Sequence, residues 1–138
     1  MTQKDKELLL RDLCERLPYG VKVKTNNINI LKLGSHTRVG EYVTDVTEPC
    51  KPYLFPLSSM TEGQTEEVHN LIYQGVSESI EETKEWLKTR KENELRPITL
   101  TYILSYTLVI DWFCKNHFDY RGLIPMGLAI DCTNLNIY

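Results

Sequence analysis

The hydrophobic and polar positions of the first 17 residues follow a helical period. Over residues 4–17 (KDKELLLRDLCERL), apolar side chains recur at the spacing of one helix face: Leu9, Leu10, Leu13, Cys14 and Leu17. Charged residues fall on the opposite side, where Asp12 and Arg16 are four residues apart. Pro18 and Gly20 then end the helix, because proline disfavours helical geometry in the residue before it. The pattern predicts an amphipathic helix whose charged side faces solvent.

The following segment changes to a period of two, which is typical of strands. Val21 and Val23, and then Ile28 and Ile30, alternate with polar residues, and asparagines at positions 26 and 27 favour a turn between them. We therefore expect two strands joined as a hairpin.

Two more extended segments are predicted before the pattern changes again. One strand is expected near residues 41–46 and a shorter one at residues 50–55 (CKPYLF). Pro52 and Pro56 place the shorter strand at an edge, because proline has no N–H to contribute to a ladder. Residues 1–56 are therefore predicted to form one helix packed on a small antiparallel sheet or partial barrel.

The helical period returns after residue 56. Thr61 and Gln64 have the spacing of a capping box, which predicts a helix from there. A second helix is expected over residues 80–93. The apolar stretch 98–113 is too long for an ordinary strand and is predicted to be a central core helix.

The order of helix, strands and helices predicts an α+β fold. A length of 138 residues fits a single domain, residues 1–138. Within it we distinguish a helix-and-sheet subregion at about 1–56 and a helical subregion at about 57–138.

Charge and targeting signals restrict the function. A net charge of −3 makes binding of duplex nucleic acid unlikely on electrostatic grounds, although a local basic patch for a smaller anion stays open. No segment resembles a signal peptide, and the most apolar stretch is too short to span a bilayer. The four cysteines form no CxxC pair, so they are expected to be small apolar core residues. We expect a cytoplasmic protein, without a membrane, metal or cofactor.

The segment KLGSHTRVG at residues 32–40 is the first candidate for ligand binding. Its cations and hydroxyls could contact the phosphates of a nucleotide, and they belong to Lys32, Ser35, His36, Thr37 and Arg38. The segment lacks the GK[ST] ending of a Walker motif and any GxGxxG. The alternative is a polar hairpin loop, which its composition favours. Tyr53 could add a ring for stacking on a base.

The segment NHFDYR at residues 116–121 is the second candidate. His117, Tyr120 and Arg121 could recognise an anion through an imidazole, a ring and a forked guanidinium. The alternative is structural: His117 caps a helix, Asp119 bonds locally and Gly122 permits a turn. We favour the structural alternative, because charged residues near helix ends are routinely local partners.

Cys114 lies three residues before His117, which raises the question of catalysis or metal binding. A thiol nucleophile requires an oriented base, and zinc requires four converging ligands. Neither arrangement can be assembled from the sequence, so we expect a protein that is not an enzyme. A small hydrolase remains the less favoured alternative.

Three ordered blocks resemble a known family: RDLCERLPYG at residues 11–20, KPYLFPLSSMTE at 51–62 and NHFDYRGLIPMGLAI at 116–130. The family comprises small uncharacterised Bacteroides proteins that are often encoded in prophages and mobile elements. It has no established activity, so no functional residue is carried over. The resemblance implies a phage or mobile-element setting.

These observations together lead to a functional expectation. We expect a non-catalytic, oligomeric binding protein that modulates the host, in one form an anti-defence sponge that sequesters a signalling nucleotide. The alternative is a protein-binding adaptor or inhibitor of a host factor. A nucleic-acid binder ranks with the hydrolase below both.

Overall fold

The computed structural model describes residues 1–43, 50–73, 80–89 and 100–138. The chain divides into two compact units. The sheet unit contains Met1–Pro56 and Cys114–Tyr138, and the helical unit contains Leu57–Phe113. The division after Pro56 coincides with the boundary between the predicted subregions, but Cys114–Tyr138 belongs with the sheet. That residues 1–138 form a single domain stays a prediction.

The α+β prediction is confirmed, since an N-terminal helix and a small sheet are followed by further helices. The elements in chain order are α1 (Gln3–Arg16), β1 (Lys22–Lys24), β2 (Leu31–Lys32), α2 (Val39–Val43), β3 (Lys51–Leu54), α3 (Glu62–Tyr73), α4 (Ile80–Thr89), α5 (Leu100–Lys115) and β4 (Ile130–Asp131).

Helix α1 begins with a capping box between Thr2 and Asp5: the Asp5 N–H donates to Thr2 Oγ1 at 3.1 Å, and the Thr2 N–H donates to Asp5 Oδ2 at 2.7 Å. It ends as predicted, in a single 3₁₀ turn before Gly20 at φ +67°. Its buried face was only partly predicted.

Three residues of α1 lie on the side opposite to that expected. Cys14 is exposed, whereas Asp12 and Arg16 are fully buried. The prediction that this pair faces solvent is therefore wrong. Spacing along one helix shows which side chains share a face, but not which face another segment covers.

The sheet has the strand order β2-β1-β3-β4 and is mixed rather than wholly antiparallel. The predicted hairpin is present: Lys22 pairs with Lys32 and Val23 with Leu31. β3 is antiparallel to β1, whereas β4 is parallel to β3. β4 comes from the region that was expected to be helical.

The prediction that residues 50–55 form an edge strand is wrong, because β3 lies between β1 and β4. The Leu33 N–H donates to the Val21 carbonyl, so the backbone groups of Val21 point toward β2. Val23 is two residues further along β1, and its backbone groups therefore point toward β2 as well. The Val23–Pro52 pair therefore needs no N–H from Pro52. On the other side, β4 pairs only with Tyr53 and the residue after it. The proline thus occupies a position where no ladder donor is required.

The prediction of a strand near residues 41–46 is also wrong for residues 41–43, which the structure describes. Helix α2 covers Val39–Val43, and residues 44–46 lie outside the described residues. Val39 and Val43 are both buried and four residues apart, which is the spacing of a helical turn.

Apolar clusters lie on both faces of the sheet. The larger one packs α1 and α2 against the inner face through residues such as Leu9, Leu13, Val23 and Leu54. The smaller one lies on the outer face, where Tyr53 packs with Cys132 and Ile137. Residues 132–138 therefore cover part of the outer face.

The hydroxyl group of Tyr138 links two strands at this outer face. It accepts a hydrogen bond from the Lys22 N–H at 2.9 Å and donates one to the Tyr53 carbonyl oxygen at 3.0 Å. β1 and β3 are thus joined by a side chain where their direct pairing ends.

In the helical unit, the predicted capping box of α3 is confirmed: the Gln64 N–H donates to Thr61 Oγ1 at 3.2 Å, and the Thr61 N–H donates to Gln64 Oε1 at 2.9 Å. α4 is present at Ile80–Thr89, and residues 90–93 of its predicted range lie outside the described residues. Trp112 Nε1 on α5 donates to Glu67 Oε2 at 2.9 Å.

Helix α5 confirms the helical interpretation of residues 100–113, and residues 98–99 lie outside the described part. Val109 and Phe113 are buried, but Tyr106 and Leu108 are exposed. The helix is therefore amphipathic in its second half rather than buried on most sides. Within the described ranges, none of the helices combines the length and apolarity needed to cross a bilayer.

We predict that Tyr138→Phe lowers the free energy of unfolding by about 1 kcal/mol, because the Lys22 N–H and the Tyr53 carbonyl lose their shared partner. Amide hydrogen exchange at Lys22 should accelerate, and urea unfolding measures the stability. Tyr53→Phe is the control, since the Tyr53 hydroxyl donates instead to the Asn29 carbonyl. Unchanged exchange at Lys22 in Tyr138→Phe would contradict the bridging role.

Candidate functional site

The second candidate segment, residues 116–121, turns the chain from α5 back to the sheet. His117 adopts a left-handed conformation at φ +60°, and Gly122 has φ +75°. The Phe55 N–H donates to the His117 carbonyl, and the Asp119 N–H donates to the Phe55 carbonyl, at 2.9 and 2.8 Å. The segment is therefore tied to the chain just after β3.

Asp119 stabilises the next turn through its carboxylate. Oδ1 accepts from the Leu123 N–H at 2.8 Å, and Oδ2 accepts from the Ile124 N–H at 2.9 Å. The side chain is almost fully buried. Both of its oxygens thus satisfy backbone donors that would otherwise be buried without partners.

A buried ionic network joins this segment to α1. Arg16 donates to both oxygens of Asp12, at 2.7 and 3.1 Å, and its Nη2 also donates to the Phe118 carbonyl at 2.8 Å. Arg121 Nη2 donates to Glu15 Oε2 at 2.5 Å, and its Nε lies 3.3 Å from Asp12 Oδ1. Two guanidinium groups and two carboxylates therefore neutralise one another inside the sheet unit.

Tyr120 lies between the two arginines. Its hydroxyl donates to Glu15, and its ring lies 5.4 Å from the Arg16 guanidinium carbon and 4.8 Å from that of Arg121. Burial opposes ionisation of Glu15, but the hydrogen bonds from Tyr120 and Arg121 outweigh it and lower the pKa of Glu15. Two of the three predicted anion-binding side chains here, Tyr120 and Arg121, thus contact the protein's own carboxylates.

His117, the third of these, stacks on Tyr138 with ring centroids 3.7 Å apart. Burial, and then the charges of Arg16 and Lys22, lower the pKa of His117 to about 4. Burial raises the pKa of the Cys114 thiol. Both directions oppose a thiolate–imidazolium pair, which requires a low thiol pKa and a histidine that accepts the proton. Among the described residues, no three His, Cys, Asp or Glu side chains are grouped to hold a metal ion.

The first candidate segment, residues 32–40, contains a polar turn. The Thr37 N–H donates to the Gly34 carbonyl, and the Gly34 N–H donates to Thr37 Oγ1, both at 2.9 Å. Arg38 lies 3.6 Å from Glu41 across an exposed ion pair. Ser35 and His36 are exposed. Thr37 and the Gly34 amide are thus engaged with each other, and phosphate binding by this segment stays a prediction.

The structure does bring together two predicted site residues from different segments. Lys32 and Tyr53 lie on the outer face of the sheet. Lys32 is directly opposite Lys22, and Lys24 is directly opposite Lys51, so all four lysines share this face. We call the surface formed by Lys22, Lys24, Lys32 and Lys51 the lysine face.

The lysine face concentrates positive charge without compensation. Like charges directly opposite each other on adjacent strands destabilise a sheet. Lys24, Lys32 and Lys51 are exposed, and none of them has a carboxylate partner within the described part of the chain. The Lys22 ammonium is held by the Ile137 carbonyl at 2.5 Å and lies 5.3 Å from the Tyr138 ring centre.

Sequence reasoning missed Lys22, Lys24 and Lys51. Lys22 and Lys24 alternate with valines, which indicates only a solvated strand face, and Lys51 is a single lysine between Cys50 and Pro52. A usable signal was present. Residues 17–40 contain no Asp or Glu, although the whole chain is acidic. That stretch also contains Ile28 and Ile30, which are 46% and 52% exposed in the loop that joins β1 to β2.

Comparisons of this chain with protein-family models, with curated proteins and with solved structures find no match.

We predict that Arg16→Met lowers the free energy of unfolding by about 3–5 kcal/mol, because it leaves the buried Asp12 carboxylate without its main partner. The double variant Asp12→Leu/Arg16→Met should be more stable than Arg16→Met alone, since it removes the uncompensated charge. The control Arg11→Ala, on the exposed side of α1, should change stability by less than about 0.5 kcal/mol. Urea unfolding measures all four proteins, and wild-type stability of Arg16→Met would contradict the proposed role of the pair.

We also predict a loss of stability as the pH falls from about 6.5 toward about 4. In this window the unfolded chain binds a proton at His117, whereas the folded protein does not, because its pKa is lowered to about 4. His117→Asn tolerates the positive φ and should show a weaker pH dependence. The free energies of unfolding at about pH 7 and about pH 5 test this, with His36→Asn as a control that should follow the wild type. An equal pH dependence in all three proteins would contradict the prediction.

Proposed function

We propose that this chain is a non-catalytic binding protein of a phage or mobile element, and that it modulates the host by binding an anionic partner on the lysine face. The observation that carries the proposal is the set of exposed lysines, which are arranged in like-charged cross-strand pairs. Such pairs cost stability in the free protein, and an anionic partner would offset that cost.

The chemistry of the remaining polar groups supports binding rather than catalysis. The arginines and carboxylates of α1 and of the segment after α5 are paired internally. Burial raises the pKa of the Cys114 thiol, which is the candidate nucleophile.

A host protein is the partner that the surface favours. Small-molecule sites are usually concave, whereas the lysine face lies on a sheet flanked by the exposed Ile28 and Ile30. Acidic groups of a protein could contact the lysines while apolar groups cover the isoleucines. This corresponds to an adaptor or inhibitor of a host factor.

A nucleotide sponge is the second candidate, because Lys32 and Tyr53 lie on one face and ammonium groups bind phosphate. The Tyr53 ring is 6% exposed and packs with Cys132 and Ile137. The lysine face of one protomer would therefore contact the phosphates of the nucleotide rather than its base. Residues from a second protomer would have to recognise the base in an oligomer.

The test is the triple variant Lys24→Glu/Lys32→Glu/Lys51→Glu. Its matched control, Lys4→Glu/Lys6→Glu/Lys88→Glu, has the same net charge but leaves the lysine face intact. Quantitative affinity purification from host lysate should recover a partner with the wild type and the control, and lose it with the face variant. Circular dichroism and urea unfolding verify that each protein is folded.

Calorimetry with cyclic dinucleotides and cyclic ADP-ribose isomers separates the two candidates. A heat of binding that the wild type and the control show, and that the triple lysine variant lacks, would identify the protein as a nucleotide sponge. Partners and ligands that bind equally to all three proteins would overturn the proposal.

A further inference from the structure

The open edge of the sheet lies next to the lysine face. β2 is the terminal strand, and the Leu33 N–H donates to the Val21 carbonyl at 2.9 Å. In an antiparallel pair, alternate residues direct their backbone groups toward the partner strand and away from it. By this alternation the N–H and C=O groups of Lys32, and the C=O group of Ile30 just before β2, point away from β1, toward the side on which the described residues place no strand.

The side chains along this edge have a definite pattern. Ile30 immediately precedes β2 and is two residues from Lys32, which lies on the same face as the other lysines. Ile30 is 52% exposed, and Lys32 is exposed. The edge therefore presents an apolar side chain and then a cation, beside backbone groups that have no strand partner among the described residues.

We propose that β2 is the docking edge for an extended acidic segment of the partner, which adds to the sheet as a further strand. Backbone hydrogen bonds to Ile30 and Lys32 would provide the pairing, and the side chains would provide the specificity. A carboxylate next to Lys32 neutralises the Lys22–Lys32 pair, and an apolar residue two positions away covers Ile30. This inference rests on the proposed function, because it specifies how the anionic partner reaches the lysine face.

A second copy of this chain fits the edge less well. Edge-to-edge pairing of two β2 strands would place both lysine faces side by side, and lysines on edge strands oppose such pairing. A nucleic acid would satisfy the lysines but would leave Ile30 and the strand edge without suitable partners. An acidic, partly apolar peptide satisfies all three groups.

The probe is a short peptide in which every second residue is in turn glutamate and valine, with threonine between them, so that one face presents a glutamate and then a valine. Its control has the same sequence with alternate backbone nitrogens methylated. Methylation keeps the charges and side chains but removes the donors on one edge. We expect the unmodified peptide to slow amide exchange at Lys32, whose N–H points away from β1. Methylation at the positions that face β2 should weaken its binding by about tenfold or more.

Variants of the protein complete the test. Lys32→Glu should abolish binding of the peptide, and Ile30→Ser should weaken it, whereas Met126→Ser, an exposed apolar control, should leave it unchanged. Equal binding of the methylated peptide, or no change in exchange along β2, would overturn the strand-addition proposal. Protection of Lys32 in the free protein that increases with its concentration would assign the edge to a second copy, and would also overturn the proposal.

The two proposals fail in different ways. A host partner that depends on the lysine face but does not protect β2 removes only the strand addition. Recovery of the same partner by the triple lysine variant removes the proposed function itself.

Discussion

The fully buried guanidinium of Arg16 constrains the sheet unit more than any other single group. A buried charge in that position is stable only when neighbouring segments of the protein provide a counter-ion and hydrogen-bond partners. Asp12 provides the counter-ion from the same helix, and the Phe118 carbonyl provides an acceptor from a distant part of the chain. Arg121 and Glu15 then extend the network, since Asp12 lies between two arginines. Helix α1 and the segment after α5 are thereby held in one arrangement.

The path of the chain after this network determines how the rest of the outer face is covered. Phe118 is held beside Phe55, and the chain continues into β4, which runs parallel to β3. Residues 132–138 then cross the outer face, where Tyr138 joins β1 to β3 and stacks on His117. The described residues leave Lys24, Lys32 and Lys51 of the lysine face exposed.

Elements specified by neighbouring residues were predictable from the sequence, and those that depend on distant partners were not. The end of α1 at Gly20, the hairpin of β1 and β2 and the capping box at Thr61 each depend on a few adjacent residues, and all three were predicted. The burial of Arg16 depends on a contact with Phe118, which is 102 residues away. The central position of β3 similarly depends on β4, whose two residues carry no strand signal. Local patterns record propensity and amphipathicity, whereas these features are tertiary.

The same distinction between local and tertiary features applies to the candidate site. It explains why the residues predicted to bind a ligand do not form one site. His117, Tyr120 and Arg121 looked like an anion site because they combine donors and rings, but their carboxylate partners lie on α1. Lysines, whose strongly hydrated ammonium groups resist burial, occupy the outer face, while arginines form the buried network, as their forked geometry favours. The proposed binding surface thus consists of cations that the interior does not use. Because Lys24, Lys32 and Lys51 already lie on paired strands, an anionic partner could contact them without rearranging the sheet.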